Sequence, residues 1–507
     1  MQFNRTKNST RTFAFGIVSK TVTILCPFII RTIIIYKLGA EYLGLTSLFT
    51  SVLTILNISE LGVSQAIAFC LYKPIAEDDK EKINALMALM KKIYKFIGVF
   101  ILCTGVCLMP FLPRLINGEH PADINIYILY IMYLVNASVS YLGYAYKTVL
   151  FEAYQEGDIN HKINTFVEIL KFLAQVIVLA FFTDYYLYVL VLPIASIFVN
   201  IITEFMSKKK HSDIVPRGDV DAETKNVIKK KVAYLSIHSI AAKITNSIDS
   251  IVISSALGLA AIAIYGNYQY IFTAVFSFVV IAFQALKPAI GNSLYVDTKE
   301  KQSNLLNSLE LVSFWICTWC SICLLCLYQP FIVLWIGEKY LLDFGIVIII
   351  TLFFFANVSR TFYNSVYVET AGFWNKTLFR QILSAIVNLI LDIVLVNRYG
   401  ILGVVIASFV SIALISHPMD VIVTYKYVLN ISPIKGIQKM VIEYVAAIGL
   451  GVITYFACRS VSFDGVLGLL LNIIVCIVVP NTIIVLFVYR SKSFKYLLDH
   501  IKALIRK

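Results

Sequence analysis

Charge is what this sequence has least of. Of its 507 residues only 14% are Asp, Glu, Lys or Arg, while 59% are hydrophobic. An average soluble domain carries about 25% charged residues, so an ordinary soluble enzyme is excluded. The chain also has no GxxxxGK[ST] phosphate loop, no HExxH zinc motif and no GxSxG nucleophile elbow. ATP-driven transport by this chain alone and covalent catalysis are therefore not expected. The first apolar stretch lacks a small-residue cleavage site and is long enough to span a bilayer, which predicts a retained helix rather than a removed signal peptide.

What remains is a succession of apolar runs. A membrane helix needs about 20 such residues, and the sequence divides into fourteen candidate spans, from 12–36 through 43–72 and 230–256 to 401–424, 436–460 and 465–490. The net charge of +13 sits mostly between these runs and reads as a topology signal rather than a nucleic-acid surface. With the N-terminus placed in the cytoplasm, only Lys37, Arg114, Lys339, Arg398 and Arg459 fall on the opposite side. Lys20, Arg31, Lys171, Lys243 and Arg360 lie within spans, and the other 33 of the 43 basic residues are cytoplasmic. The prediction is a multi-pass protein with both termini cytoplasmic.

The charged connector near 206–229 divides the chain. The expected organisation is a lobe with its linker over 1–229, a second lobe over 230–430, and two further helices with a basic tail over 431–507. A weak repeat supports it, since Leu38-Gly39 closes the first span and Leu257-Gly258 the seventh. Two six-helix halves in the same orientation imply a substrate site between them. The fold class is thus all-α and integral to the membrane, with about fourteen helices in two six-helix lobes around a central cavity, plus two at the C-terminus.

Ten cysteines invite a metal reading, most of all the run Cys317, Cys320, Cys323 and Cys326. On a helix, steps of three turn by ~300° each, so these four thiols cannot converge on one cluster. No proline follows, as it does in bacterial ferredoxins. The run reads as small apolar residues, and no metal or other cofactor is expected.

Ionisable groups inside spans are expensive unless they face protein or water, so they mark the candidate site. Lys20 and Arg31 share one face of the first helix within ~20°, about 16 Å apart. With Lys243, Arg360, Asn246 and Asn357 they would line a hydrated, positive cavity suited to an anion, the arginines through forked hydrogen bonds to phosphate. Lys20 is also near enough to a helix end to snorkel. Glu60, Asp249 and Asp392, the last in a stripe with Ser384 and Asn388, are candidates for an ion-coupling site. Glu168 and Lys171 are spaced as a structural pair. His417 and Asp420 fall near a cytoplasmic end and are expected to be solvated.

Several segments resemble a known family. Residues 31–49, RTIIIYKLGAEYLGLTSLF, and 59–79, SELGVSQAIAFCLYKPIAEDD, are similar to polysaccharide repeat-unit flippases of the multidrug/oligosaccharidyl-lipid/polysaccharide (MOP) exporter superfamily. So are NSIDSIVISSALGLAAIAIYGNY (246–268) and RYGILGVVIAS (398–408). The resemblance implies a flippase in a bacterial cytoplasmic membrane. Its cargo would be an oligosaccharide on undecaprenyl diphosphate, moved to the outer leaflet by alternating access. Membrane lipid and the glycan carrier are the expected partners, with the polysaccharide polymerase and co-polymerase as candidates. A sodium or proton gradient, or the membrane potential, is left open as the driving force. Arg31 and Asp249 match the family's basic position on the first helix and acidic position on the seventh. Peptidoglycan-precursor flippases often carry Arg-Asp where this chain has Arg31-Thr32, which argues against that cargo. The alternatives are a cation-coupled exporter of drugs or small solutes of the same superfamily, or a peptidoglycan-precursor flippase.

Overall fold

Lipid offers no partner to backbone N–H and C=O groups, so a chain this apolar must satisfy them within helices. The computed structural model describes residues 5–57, 62–118, 120–460 and 463–496, and describes side chains within these except at 5–14, 233–242 and 244–246. No strand occurs among the described residues. The helices are α1 (Arg5–Lys37), α2 (Ala40–Leu56), α3 (Val63–Glu77), α4 (Lys80–Leu108), α5 (Ile126–Leu142), α6 (Thr148–Ala153), α7 (Gly157–Ile177) and α8 (Tyr185–Lys210). They continue with α9 (Ala222–Leu257), α10 (Leu259–Val296), α11 (Lys299–Ile336), α12 (Phe344–Thr361), α13 (Trp374–Tyr399), α14 (Ile401–Val410), α15 (His417–Val423), α16 (Pro433–Arg459) and α17 (Gly465–Val488).

Eleven described helices are long and apolar enough to cross a membrane, and the pair Ile126–Leu142 with Ala145–Ala153, bent by 47°, makes twelve at most. Length and composition thus do not return the fourteen expected. Two expected spans account for the gap. The stretch 43–72 falls on α2 and α3, two short helices with 58–61 outside the described residues. The stretch 230–256 falls on α9, where most side chains before Ser247 are outside the description.

Contacts group the chain into two compact units, Met1–Ala263 and Ile264–Lys507. The division lies inside α10, not at the charged connector. The connector is tied to the first unit by Val215 N–H donating to Asn84 at 2.8 Å and by the Lys80–Asp213 pair at 2.7 Å, while α9 packs on α2 and α3.

Side-chain sorting is the reverse of a soluble protein's. On α13 the buried face is Thr377, Arg380, Ser384, Asn388, Asp392 and Val396. Its exposed face carries Phe379, Ile382, Ile386, Ile390, Ile393 and Val394. Steps of three and four keep each set on one side of the helix, and the apolar side suits lipid. Joints between helices are short. Gly39 follows α1 with φ 120° and Gly258 follows α9 with φ 88°, a region that L side chains avoid. A Cβ on Gly258 would also stand 2.6 Å from the Asn117 carbonyl oxygen. The sequence repeat Leu38-Gly39 and Leu257-Gly258 is therefore a repeated corner, with the next helix starting at the following residue each time.

Among the described residues four π-helical turns interrupt the ladders, at Val178–Phe182, Phe362–Val368, Ser411–Ser416 and Thr424–Val428. Such turns shift side chains around the helix and are frequent at functional sites. Three of them lie in the segment that carries the ionised groups described next.

Candidate functional site

Arginine and aspartate from three helices meet inside the second unit. Arg380, on the polar face of α13, is wholly buried. It places Nη1 3.0 Å from Asp420 Oδ2 and donates Nη2 to Asn364 Oδ1 at 3.3 Å. Arg360, at the end of α12, reaches the same carboxylate oxygen only at 3.9 Å and donates Nη2 to Asn357 Oδ1 at 3.3 Å. The two differ in access, the side chain of Arg360 being 21% exposed and that of Arg380 1%. The π turn after Arg360 extends the group. Asn364 donates to Glu369 Oε1 at 2.9 Å, and Lys287 on α10 donates to Glu369 Oε2 at 2.8 Å. Three cations here face two carboxylates, which leaves a positive surplus held by loose contacts around Arg360. A planar fork with five donors is suited to a phosphate in that position.

A second buried group centres on Glu310 of α11, 1% exposed. Its carboxylate accepts from the Tyr363 hydroxyl at 2.9 Å, from the Tyr425 hydroxyl at 2.8 Å and from Lys439 Nζ. His417 hydrogen-bonds the Tyr444 hydroxyl through Nδ1 at 3.1 Å and lies beside the Tyr363 ring.

A third group continues down α13. Ser384 donates to the Ser411 carbonyl at 3.0 Å and accepts from Ser416 at 2.9 Å, and Asn388 Nδ2 donates to Ser408 Oγ at 3.2 Å. Asp392, one turn further, is fully buried. It stands three turns from Arg380, about 18 Å along the axis, so the structure keeps it apart from the arginine cluster.

In the first unit, Arg31 and Lys20 are half-buried on α1, which runs against α7. Tyr188 on α8 is within electrostatic range of Arg31. Asp249 is buried and Lys243 half-buried on α9. Glu168 and Lys171 form the expected pair at 2.7 Å. Glu60 and the Asn246 side chain lie outside the described residues. Of the anticipated binding residues, Arg360 and Asn357 are directly bonded. Lys20, Arg31, Lys243 and Asp249 belong to Met1–Ala263, whereas Asn357, Arg360 and Asp392 belong to Ile264–Lys507.

Two expectations are corrected. His417 and Asp420 are not solvated; both have no exposure, because α15 is enclosed between π turns and packs on α12, α13 and α16. Arg380, counted with the basic residues at a helix end, is instead the most enclosed cation of the set. The signal was present, since 380, 384, 388 and 392 form one four-residue ladder that the polar stripe reading entered a turn late. Glu310, Glu369 and Lys439 stood alone in sequence, and only the fold supplies their partners.

The fold is similar to that of solved membrane transporters of the MOP superfamily. The Lipid II flippase MurJ, in an inward closed conformation, matches with a TM-score of 0.68 at 13% identity, covering 94% of this chain and 98% of that one. An inward-facing multidrug resistance MATE family transporter of the MOP superfamily matches at 0.62 and 13% identity, with coverage of 84% and 95%. An outward-facing MATE transporter of that superfamily matches at 0.56 and 14% identity, with coverage of 87% and 97%. These neighbours are transporters and flippases rather than enzymes. No curated protein matches in sequence. The family model described as "Polysaccharide biosynthesis protein" matches residues 9–294, more than half of the chain, and the chain belongs to that family.

Proposed function

We propose that the protein is a flippase for undecaprenyl-diphosphate-linked oligosaccharide repeat units. It would carry them from the cytoplasmic to the outer leaflet of a bacterial cytoplasmic membrane for surface or capsular polysaccharide. The observation that carries this reading is the pair Arg360 and Arg380 sharing one carboxylate, Asp420, within apolar helices. Charge of this kind costs several kcal/mol in a membrane and is kept where an anion uses it. Arg380 neutralises Asp420 at close range, which leaves the more open Arg360 as the donor for a diphosphate. Within the first unit, Arg31, Lys20 and Lys243 are separate candidates for binding the anionic cargo.

An apolar cavity of about 190 Å³ lined by Leu325, Phe344, Ile348, Phe355, Ile448 and Tyr455 has room for a section of prenyl chain. Asp392 with Asn388 and Ser408, and Asp249, are the candidates for coupling to sodium or protons. Asp392→Asn and Asp249→Asn should each remove the gradient dependence of flipping if that residue couples, and leave it unchanged if its role is structural. Both termini are assigned to the cytoplasm on the distribution of Lys and Arg. A polymerase and co-polymerase would receive the flipped unit.

The test is a deletion strain, with lipid extracts analysed by mass and the sidedness of carrier-linked sugar probed on intact spheroplasts. Complete repeat units sealed on the cytoplasmic face are the expected result. Units accessible from outside would place the block at a later step. No accumulation, with polymer intact, would transfer the assignment to a cation-coupled exporter of small solutes.

A further inference from the structure

Flipping makes no use of a group of thiols that three helices bring together. Cys326 on α11, Cys458 on α16 and Cys476 on α17 are all buried, with Sγ atoms within 4.8 Å of one another. The Cys458 and Cys476 sulfurs are 3.8 Å apart. Cys323, one turn before Cys326, packs against the same cluster. The run on α11 does not converge by itself, as helix geometry requires. Convergence comes from Cys326 meeting one cysteine from each of two other helices.

The Cys458–Cys476 spacing of 3.8 Å fits two ligands of one ion. With a metal–sulfur bond of about 2.3 Å, sulfurs sit about 3.8 Å apart in a tetrahedron and about 4.0 Å apart in a trigonal plane. A disulfide needs about 2.05 Å, so Cys458 and Cys476 would have to close by a further ~1.7 Å. The donors are also held from behind. Trp319 Nε1 donates to the Cys476 carbonyl at 3.1 Å, and Trp315 Nε1 to Asn481 Oδ1 at 2.5 Å; both fasten α17 to α11.

A site must also be reachable. Cys326 and Cys458 line a cavity of about 710 Å³ together with Arg459, Asp464, Glu338 and Asn472. Its polar lining gives an ion a path in and gives water a path to the thiols. Thiolate donors with no carboxylate or imidazole among them select soft cations.

We propose that Cys326, Cys458 and Cys476, with Cys323 as fourth donor, bind a thiophilic closed-shell cation, Cu(I) or Zn(II), which ties α16 and α17 to α11. Each thiol that ligates gives its proton to water in the adjoining cavity, and no electron is transferred. Arg459 on the cavity wall offsets part of the negative charge that the thiolates bring. This inference does not rest on the flippase reading, and polymer export is not its readout.

The experiment uses the full chain in detergent, reduced and metal-stripped under anaerobic conditions. One arm adds Co(II) as a zinc probe and then Zn(II). The other adds Cu(I) in competition with a copper(I) chelator. The expected result is one equivalent retained per chain, and at least tenfold less in Cys458→Ser/Cys476→Ser. Thiolate-to-cobalt charge-transfer bands displaced by Zn(II) would identify zinc, and retention of copper alone would identify Cu(I). Alkylation followed by peptide mass analysis serves as the second readout, since it compares the unsubstituted chain with and without metal and does not depend on a variant folding. Metal should protect Cys323, Cys326, Cys458 and Cys476 and leave the exposed Cys103 and Cys107 equally reactive. Equal labelling of the four with and without metal would overturn the proposal. So would retention no greater than in the variant, or a Cys458–Cys476 disulfide in the peptide map.

Discussion

In the unit Met1–Ala263 the groups that hold helices together are mostly neutral. The Thr46 hydroxyl shares hydrogen bonds with the Tyr185 and Tyr133 hydroxyls at 2.6 and 3.2 Å, and Ser196 donates to Asn136 at 2.7 Å. Its ion pairs are local, as in Glu168 with Lys171, or lie at helix ends and the connector, as in Glu204 with Lys147 and Lys208, Glu156 with Lys210, and Lys80 with Asp213. In the unit Ile264–Lys507 the corresponding groups are ionised and deep. Arg380, Asp420 and Glu310 have at most 1% exposure, and each depends on partners from other helices. Neutral hydrogen bonds between membrane helices contribute about 0.6 kcal/mol each, so losing one is tolerable. A buried ion whose partner is removed is left uncompensated, at a cost of about 3–5 kcal/mol. The second unit therefore retains an expensive arrangement that packing alone would not require.

The sharpest test of that contrast is Arg380→Met. It should lower stability by about 3–5 kcal/mol, seen as loss of monodisperse protein in detergent, and the added change Asp420→Leu should recover most of the loss. A single variant as stable as the parent would erase the difference between the units. Next in size are the two accessible arginines. Arg360→Ala and Arg31→Ala should each leave the protein at normal level in the membrane and reduce surface polymer at least tenfold. The lysine variants should restore only part of the activity, because an ammonium cannot reproduce the guanidinium fork. Full activity of either alanine variant removes that residue from the site.

In the neutral unit, Tyr185→Phe should cost about 1 kcal/mol of thermal stability and leave transport unchanged. The smallest effect concerns Glu156, outside the membrane spans, which receives Lys210 at 2.7 Å and His211 at 3.0 Å. Burial pushes its carboxyl up, but the hydrogen bonds from His211 and Lys210 outweigh burial and hold it below the ordinary range. A depressed folded value stabilises above the unfolded one, so its contribution is present at neutral pH and fades as pH falls below about 4. The difference in unfolding free energy between the parent and Glu156→Gln should thus be present at neutral pH, at most about 1 kcal/mol, and vanish in acid.

Periodicity carried the helical class, the polar face of α13 and the glycine corners, because each is a local pattern on one stretch of chain. It did not carry the breaks. The division of 43–72 into α2 and α3 and the bend after Leu142 depend on packing. Nor did it carry partners. Asp420 lies 40 residues from Arg380 and 60 from Arg360, and nothing in its own neighbourhood distinguishes it from a solvated end. The same holds for Cys326, whose nearest thiols in sequence are not the ones from α16 and α17 that meet it in space.

The glycine corners bear on how such a molecule can move. Leu38-Gly39 is the whole link between α1 and α2, Gly258 that between α9 and α10, and Gly400 that between α13 and α14. These links hold only two or three peptide units of about 3.8 Å each, so neither helix of a pair can slide along its axis past the other by more than about 8 to 11 Å. Mechanically each pair is an elbow with a single pin. It can open or close about the corner, with little slack to take up.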